Sequence, residues 1–251
     1  MNWKRSSSIF LEPAHFAQYL LPYLAIEIGH LYDSKKLASK MSIFISVILL
    51  LTWSGNAIVV ASLLWLIYLI VLKMNVLKKI TILIPLVIVF SFSFFNYISN
   101  TEKGISLLNR TKELKIDPEN ISSGSIRIYR GYFVYKDIPT IAKVFGVGAG
   151  GVADAIDHTP AKLMFFDYER YLNNIQTLLI GYGIIGTLLF FIFLLYLFRK
   201  NSFSGKMILL VFFTLSFMES FFNTSKMIMM LGLAFMFLKY VKKSLTLESQ
   251  L

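Results

Sequence analysis

NIQTLLIGYGIIGTLLFFIFLLYLF, residues 174–198, runs for twenty-five positions without a charged side chain. A helix needs about 20 apolar residues to cross a bilayer, so this stretch reads as a membrane span. Within it, Gly181-Tyr-Gly183-Ile-Ile-Gly186 matches the G-x-G-x-x-G dinucleotide fingerprint letter for letter. That fingerprint works between a strand and a helix of a βαβ unit, and here it lies inside a span. The dinucleotide reading is rejected. Small residues that let two helices approach closely explain the spacing better.

Working outward, the rest of the chain has the same character. Its 251 residues are 56% hydrophobic with 23 Phe, and the mean hydropathy is +0.66. Soluble domains sit nearer about 45–50% apolar, so the composition is that of an integral membrane protein. There is no cysteine, which excludes disulfides, thiolate metal sites and a cysteine nucleophile.

Seven apolar segments stand out, at roughly 14–32, 37–53, 56–72, 80–98, 174–198, 207–222 and 225–240. The run from Met41 to Leu72 is too long for one span and divides at Ser54-Gly55-Asn56. The run from Met207 to Leu238 divides between Glu219 and Lys226. Both breaks use residues that suit turns. The expected fold is all-α and integral to the membrane, with about seven transmembrane helices. It divides into an N-terminal membrane part (1–98), an extracytoplasmic loop containing short helices (99–173) and a C-terminal membrane part with a tail (174–251).

The net charge of +11 invites a nucleic-acid reading until the charges are placed. Loops 33–40, 73–79 and 199–206 and the tail from 239 hold twelve basic residues against Asp33 and Glu248. The long loop has ten basic and nine acidic residues, so it is nearly neutral. By the positive-inside rule the basic side and the C-terminus are cytoplasmic and the long loop faces outward. No nucleic-acid partner is implied. Seven spans would then put the N-terminus outside, although Lys4 and Arg5 lead it and it does not read as a signal peptide. The chain is therefore read as the C-terminal portion of a longer protein; the alternative is that segment 14–32, interrupted by Pro22 and Glu27, is not a full span.

In the outer loop, residues 101–115 pattern as an amphipathic helix. Ser122 or Ser123 caps a second helix running to about Asp137, and Ile138-Pro139 ends it. Arg127 and Arg130 share a face of that helix, one turn apart. Their planar donors suit phosphate oxygens, though arginines near a bilayer also pair simply with head groups. The cluster from Gly146 through Gly148 to Gly151 can aim backbone N–H groups at an anion or serve as an ordinary turn. At the N-terminus Arg5, Glu12 and His15 bring a cation, a carboxylate and an imidazole together, with Glu12 and His15 on one face if Pro13 starts the helix. They are candidates for phosphate binding and proton transfer, or else cap and interfacial anchors. His158 is a weaker base candidate and His30 is structural. Asp154 and Asp157 make a weak cation pair, and the scattered histidines give no metal-ligand spacing. Glu27 is the one ionisable group read as deep within a span.

Three features carry a resemblance. Arg130 is followed by fifteen residues and Gly146 on an outward loop. The opening RSSSIFLEPAHFAQYLLPYL (5–24) leads from an arginine through a proline into a membrane helix. YLNNIQTLLIGYGIIG (171–186) forms a loop-to-helix junction. Together these resemble the O-antigen polymerase and ligase family of bacterial membrane glycosyltransferases, most nearly the C-terminal part of a polymerase. The resemblance implies a GT-C-like helical fold in the inner membrane and an undecaprenyl-diphosphate-linked glycan as substrate. It implies no nucleotide sugar, cofactor or metal. Membrane lipid, a chain-length regulator and a flippase are the implied partners. Carried over, Arg5 and Arg130 bind and stabilise the departing diphosphate and Arg127 assists. Gly146, Gly148, Glu169 and Asn173 fall in the substrate-binding regions. Ligases of this group carry a His-Asn pair where this chain has Leu172-Asn173, which favours a polymerase and leaves the base among Glu12, His15 and Glu169. Two other readings stay open: a ligase-type transferase, which would not extend lipid-linked repeats alone, and a non-enzymatic transporter or scaffold, which would carry several ionisable groups deep in its spans.

Overall fold

The computed structural model describes residues 13–52, 54–72, 131–160, 172–221 and 224–238. These residues are helical, with no β-strand among them beyond an isolated bridge between Asn201 and Leu238. The helices are α1 (Pro13–Ser34), α2 (Lys40–Leu51), α3 (Gly55–Val71), α4 (Thr140–Phe145), α5 (Val152–Asp157), α6 (Asn174–Lys200), α7 (Phe203–Met218) and α8 (Ser225–Met236). A further helical stretch covers 131–137.

The apolar runs are helical, in the expected order, where they are described. The segment at 80–98 and the helix expected at 101–115 lie outside the described residues. Pro13 opens α1, where a missing N–H costs nothing. Ser39 caps α2 through a capping box with Ser42. The expected loop at 199–206 is instead only Asn201 and Ser202. α6 runs on to Lys200, Ser202 takes the N-cap position of α7, and Lys206 sits on that helix's first turn, 5.5 Å from the Phe198 ring.

α7 is the centre of the bundle. It packs against α1, α3, α6 and α8, while α2 closes on α1 and α3. Leu21, Leu24 and Ile28 of α1, Leu64 and Tyr68 of α3 and Ile208, Phe212 and Leu215 of α7 fill one core, so the first and last thirds of the chain share it. A second, smaller core joins the loop to α6 through Val134, Ile138, Ile156, Leu172 and Ile180.

Among the described residues α6 alone is both long and apolar enough to cross a membrane, and only 33% of its apolar window is covered by protein. α3, α7, α2 and α8 are apolar but span only 17, 16, 12 and 12 residues, about 18–26 Å at helical rise. α1 has the length but carries Pro22 and Glu27. Large apolar side chains stand exposed along whole faces, including Phe44 and Val47 on α2 and Leu188, Leu189, Ile192 and Leu195 on α6.

Antiparallel packing sorts the polar residues to two ends. Lys35, Lys36, Lys40, Arg199, Lys200 and Lys206 flank the helix termini at one end. The starts of α1, α3, α6 and α8 and the end of α7 gather at the other. Hydrogen bonds from Asn56 to Glu219 and from Lys226 to Gln18 cross between elements there.

Candidate functional site

This second end holds the candidate site. Its frame is the N-terminus of α6, where Asn173 is the N-cap. The Asn173 side chain accepts from Gln176 N at 2.9 Å, and Asn173 N donates to Gln176 Oε1 at 3.3 Å. Asn173 Nδ2 also donates to Phe217 O at 3.0 Å, so both ends of its amide work as cap and tether.

Asn174 continues the tie to the chain reversal after α7. Its backbone N donates to Glu219 O at 3.1 Å and its Oδ1 accepts from Phe221 N at 2.7 Å. Its Nδ2 reaches Ser216 Oγ at 3.3 Å. The Glu219 carboxylate accepts from Asn56 Nδ2 on the first turn of α3. Lys226, on the first turn of α8, donates to Gln18 of α1 and lies 5.8 Å from the Tyr19 ring. Gln18, Asn174, Gln176, Ser216 and Glu219 are all buried, Glu219 with 7% of its surface exposed. Buried polar groups are costly unless hydrogen-bonded, and this layer meets that condition across five helices.

The described part of the preceding segment, residues 131–160, rests on the same helix. A Cβ at Gly131 would come within 2.6 Å of the Gln176 side chain, so the 131–137 stretch lies directly against α6. Two turns beyond Gln176, α6 breaks at Gly183 (φ 66, ψ −171). The break frees carbonyls that a continuous helix would use, and the glycine loop satisfies them. Val147 N donates to Ile180 O at 3.0 Å and Gly148 N to Gly181 O at 2.9 Å. Gly146 (φ 86) and Gly183 face each other backbone to backbone: a Cβ on Gly146 would collide with Gly181 O, and one on Gly183 with Val144 O. The Gly181–Gly186 motif thus permits a close approach, as its small residues imply, but the partner is the end of α4 and its loop, not a second span.

Three of the expected site residues meet α6, at two separate places along it. Asn173 caps the start of α6, and Gly146 and Gly148 pack from the loop after α4 against its break. The N–H groups of Val147 and Gly148 are committed to α6 carbonyls, which favours the structural use of the glycine cluster over an anion cradle. His15 is exposed on the first turn of α1, at the same end. Arg5, Glu12, Arg127, Arg130 and Glu169 lie outside the described residues. His158 ends α5, with its Nδ1 2.7 Å from Asp154 O. Glu27 lies at the opposite end, its carboxylate accepting from Ser39 Oγ at 3.1 Å, with His30 Nδ1 3.9 Å away. Its side chain is 25% exposed, so Glu219 and not Glu27 is the more deeply buried carboxylate.

Sequence reasoning passed over Asn56, Asn174, Gln176 and Glu219, treating Asn56 and Glu219 as turn residues. The available signal was positional: each interrupts an apolar run near the end that alternation assigns to one side. Compared with known proteins, the chain matches no family model, no curated protein and no solved structure.

Proposed function

We propose that the chain is a membrane glycosyltransferase that polymerises undecaprenyl-diphosphate-linked repeat units on the outer side of the bacterial cytoplasmic membrane. In this reading the exposed apolar faces of α2 and α6 meet lipid, the end rich in lysine and arginine is cytoplasmic, and the polar layer lies at the outer surface. A lipid-linked substrate keeps its tail in the bilayer and presents its diphosphate at that level, where arginine donors can hold it.

One observation carries the reading furthest. Residues 131–146 leave α6 and return to it, because Gly131 packs on Gln176 and Gly146 on Gly181 and Tyr182. This segment, anchored at both ends on one helix, directly follows Arg130 in the sequence and closes the spacing on which the family resemblance rests. A unit of that kind suits an arginine that must be held still while negative charge develops on a leaving diphosphate, since preorganised charge is a large catalytic contribution.

The test is Arg130→Ala in the full-length protein, followed by the ladder of surface glycan lengths. The expected result is collapse of the ladder to single repeats with normal protein levels in the membrane. An unchanged ladder would remove Arg130 from the mechanism.

A further inference from the structure

α6 is too long for the helix it lies beside. It has 27 residues, about 40 Å of helix, against the 16 residues and about 24 Å of α7. Yet both of its ends are fixed to the ends of α7: Asn201 adjoins Ser202, and Asn174 N donates to Glu219 O. The rings of Phe190 and Phe191 lie 6.2 and 6.1 Å from those of Phe212 and Phe213, so the two helices run side by side in their middle. From Phe191 back to Gly183 is about 12 Å of helix, and from Phe213 on to Glu219 about 9 Å, so the break in α6 is level with the end of α7. Residues 174–182 therefore turn across the end of the bundle to reach Glu219 instead of extending beyond it.

The end of α4 docks at this same level, since Gly146 meets Gly181 and Tyr182. Ala142 of α4 and Val152 and Ala155 of α5 pack inward on the small core around Ile180. What the two helices turn outward differs. α4 presents Ile141 and Phe145, one turn apart and 76% and 68% exposed, whereas α5 presents Asp154 and Asp157. The apolar pair continues the bare face of α6, because Phe145 leads into the contact with Tyr182, and the exposed Ile184 and Leu188 follow directly. A large apolar surface that is continuous across two elements marks an interaction site.

On the reading of the chain as an integral membrane protein, we propose that α4 is an interfacial anchor whose partner is the bilayer itself. Ile141 and Phe145 enter the membrane at the boundary between head groups and acyl chains, and the acidic side of α5 faces water. The level of the pair decides for lipid: it sits at the rim of the apolar waist, where α7 ends and the buried polar layer begins. The charges agree. Lys143, on the same helix, holds its Nζ against Lys136 O at 2.6 Å on the exposed side, where an ammonium suits lipid phosphates, while Asp154 and Asp157 would be repelled by them. An anchor there holds the segment that follows Arg130 at the depth of a lipid-linked diphosphate.

The full chain is reconstituted in vesicles of phosphatidylethanolamine and phosphatidylglycerol with a single nitroxide on Ile141→Cys, Phe145→Cys, Asp154→Cys or Leu189→Cys, all exposed positions that tolerate a label. Power saturation against oxygen and a water-soluble nickel chelate compares contact with lipid and contact with water. The ratio of oxygen to nickel accessibility at 141 and 145 is expected to be about threefold or more above that at 154, and to approach that at 189. A smaller ratio at either α4 position overturns the anchor and, with 189 open to oxygen, leaves the membrane reading intact. Exclusion of both reagents from 141 and 145 also overturns it, in favour of a cover made by another part of the chain or by a second copy. A ratio at 189 as low as that at 154 overturns the membrane reading and the anchor with it.

Discussion

At the scale of single residues, Gly146 and Gly183 mark where the loop and the long helix touch. Both hold positive φ, a region that costs other residues about 1–2 kcal/mol. At Gly146 a side chain would also run into the Gly181 carbonyl, whereas Gly148, with nearly the same φ of 85, has open space around it. Gly148→Ala should therefore cost about 1 kcal/mol, and Gly146→Ala about 3 kcal/mol or more, because overpacking adds to the backbone strain. Thermal unfolding of the two variants in detergent checks the difference; equal shifts would mean that the close approach to α6 is not maintained. The glycines were plain in the sequence as a turn, and their fit to a helix break was not. The contact joins positions thirty-five residues apart, and local letters carry no record of what lies against them.

At the scale of elements, the N-terminus of α6 is where chain reversal, cap and loop converge. Asn173→Ala removes a cap and the tether to Phe217 O, a loss of about 1–2 kcal/mol. Asn174→Ala removes two side-chain bonds and leaves the buried Phe221 N–H without its acceptor. That should cost about 2–4 kcal/mol, more than the cap. Denaturation of both variants should rank them in that order, and the reverse ranking would contradict the role given to Asn174. The helices themselves were legible, because apolar runs of this length have few alternatives and the breaks at Ser54 and Glu219 fall where turn-forming residues cluster. Boundaries were less so: the loop expected at 199–206 shrank to two residues, since Arg199, Lys200 and Lys206 are compatible with helix ends as well as with loops. The layer of Asn56, Asn174 and Glu219 was hidden for a related reason. A polar residue at the edge of an apolar run looks like a turn whether it faces water or a buried partner.

The molecule as a whole has a lysine- and arginine-rich end, an opposite end that carries the buried polar layer, and an apolar waist between them. The absence of cysteine makes that arrangement easy to test, because each introduced thiol reports one position. Gly150→Cys sits in open space in the loop between α4 and α5, and Lys36→Cys is exposed between α1 and α2 at the opposite end. An impermeant maleimide should label Gly150→Cys in spheroplasts and Lys36→Cys only after lysis. Labelling in the opposite order would invert the orientation and separate the polar layer from any extracytoplasmic chemistry.

The proposed extension of a lipid-linked glycan can be followed with the protein and a single undecaprenyl-diphosphate-linked repeat as both donor and acceptor. The expected result is a ladder of products differing by one repeat, with one undecaprenyl diphosphate released per addition. Folded protein that yields nothing longer than the starting repeat would contradict it.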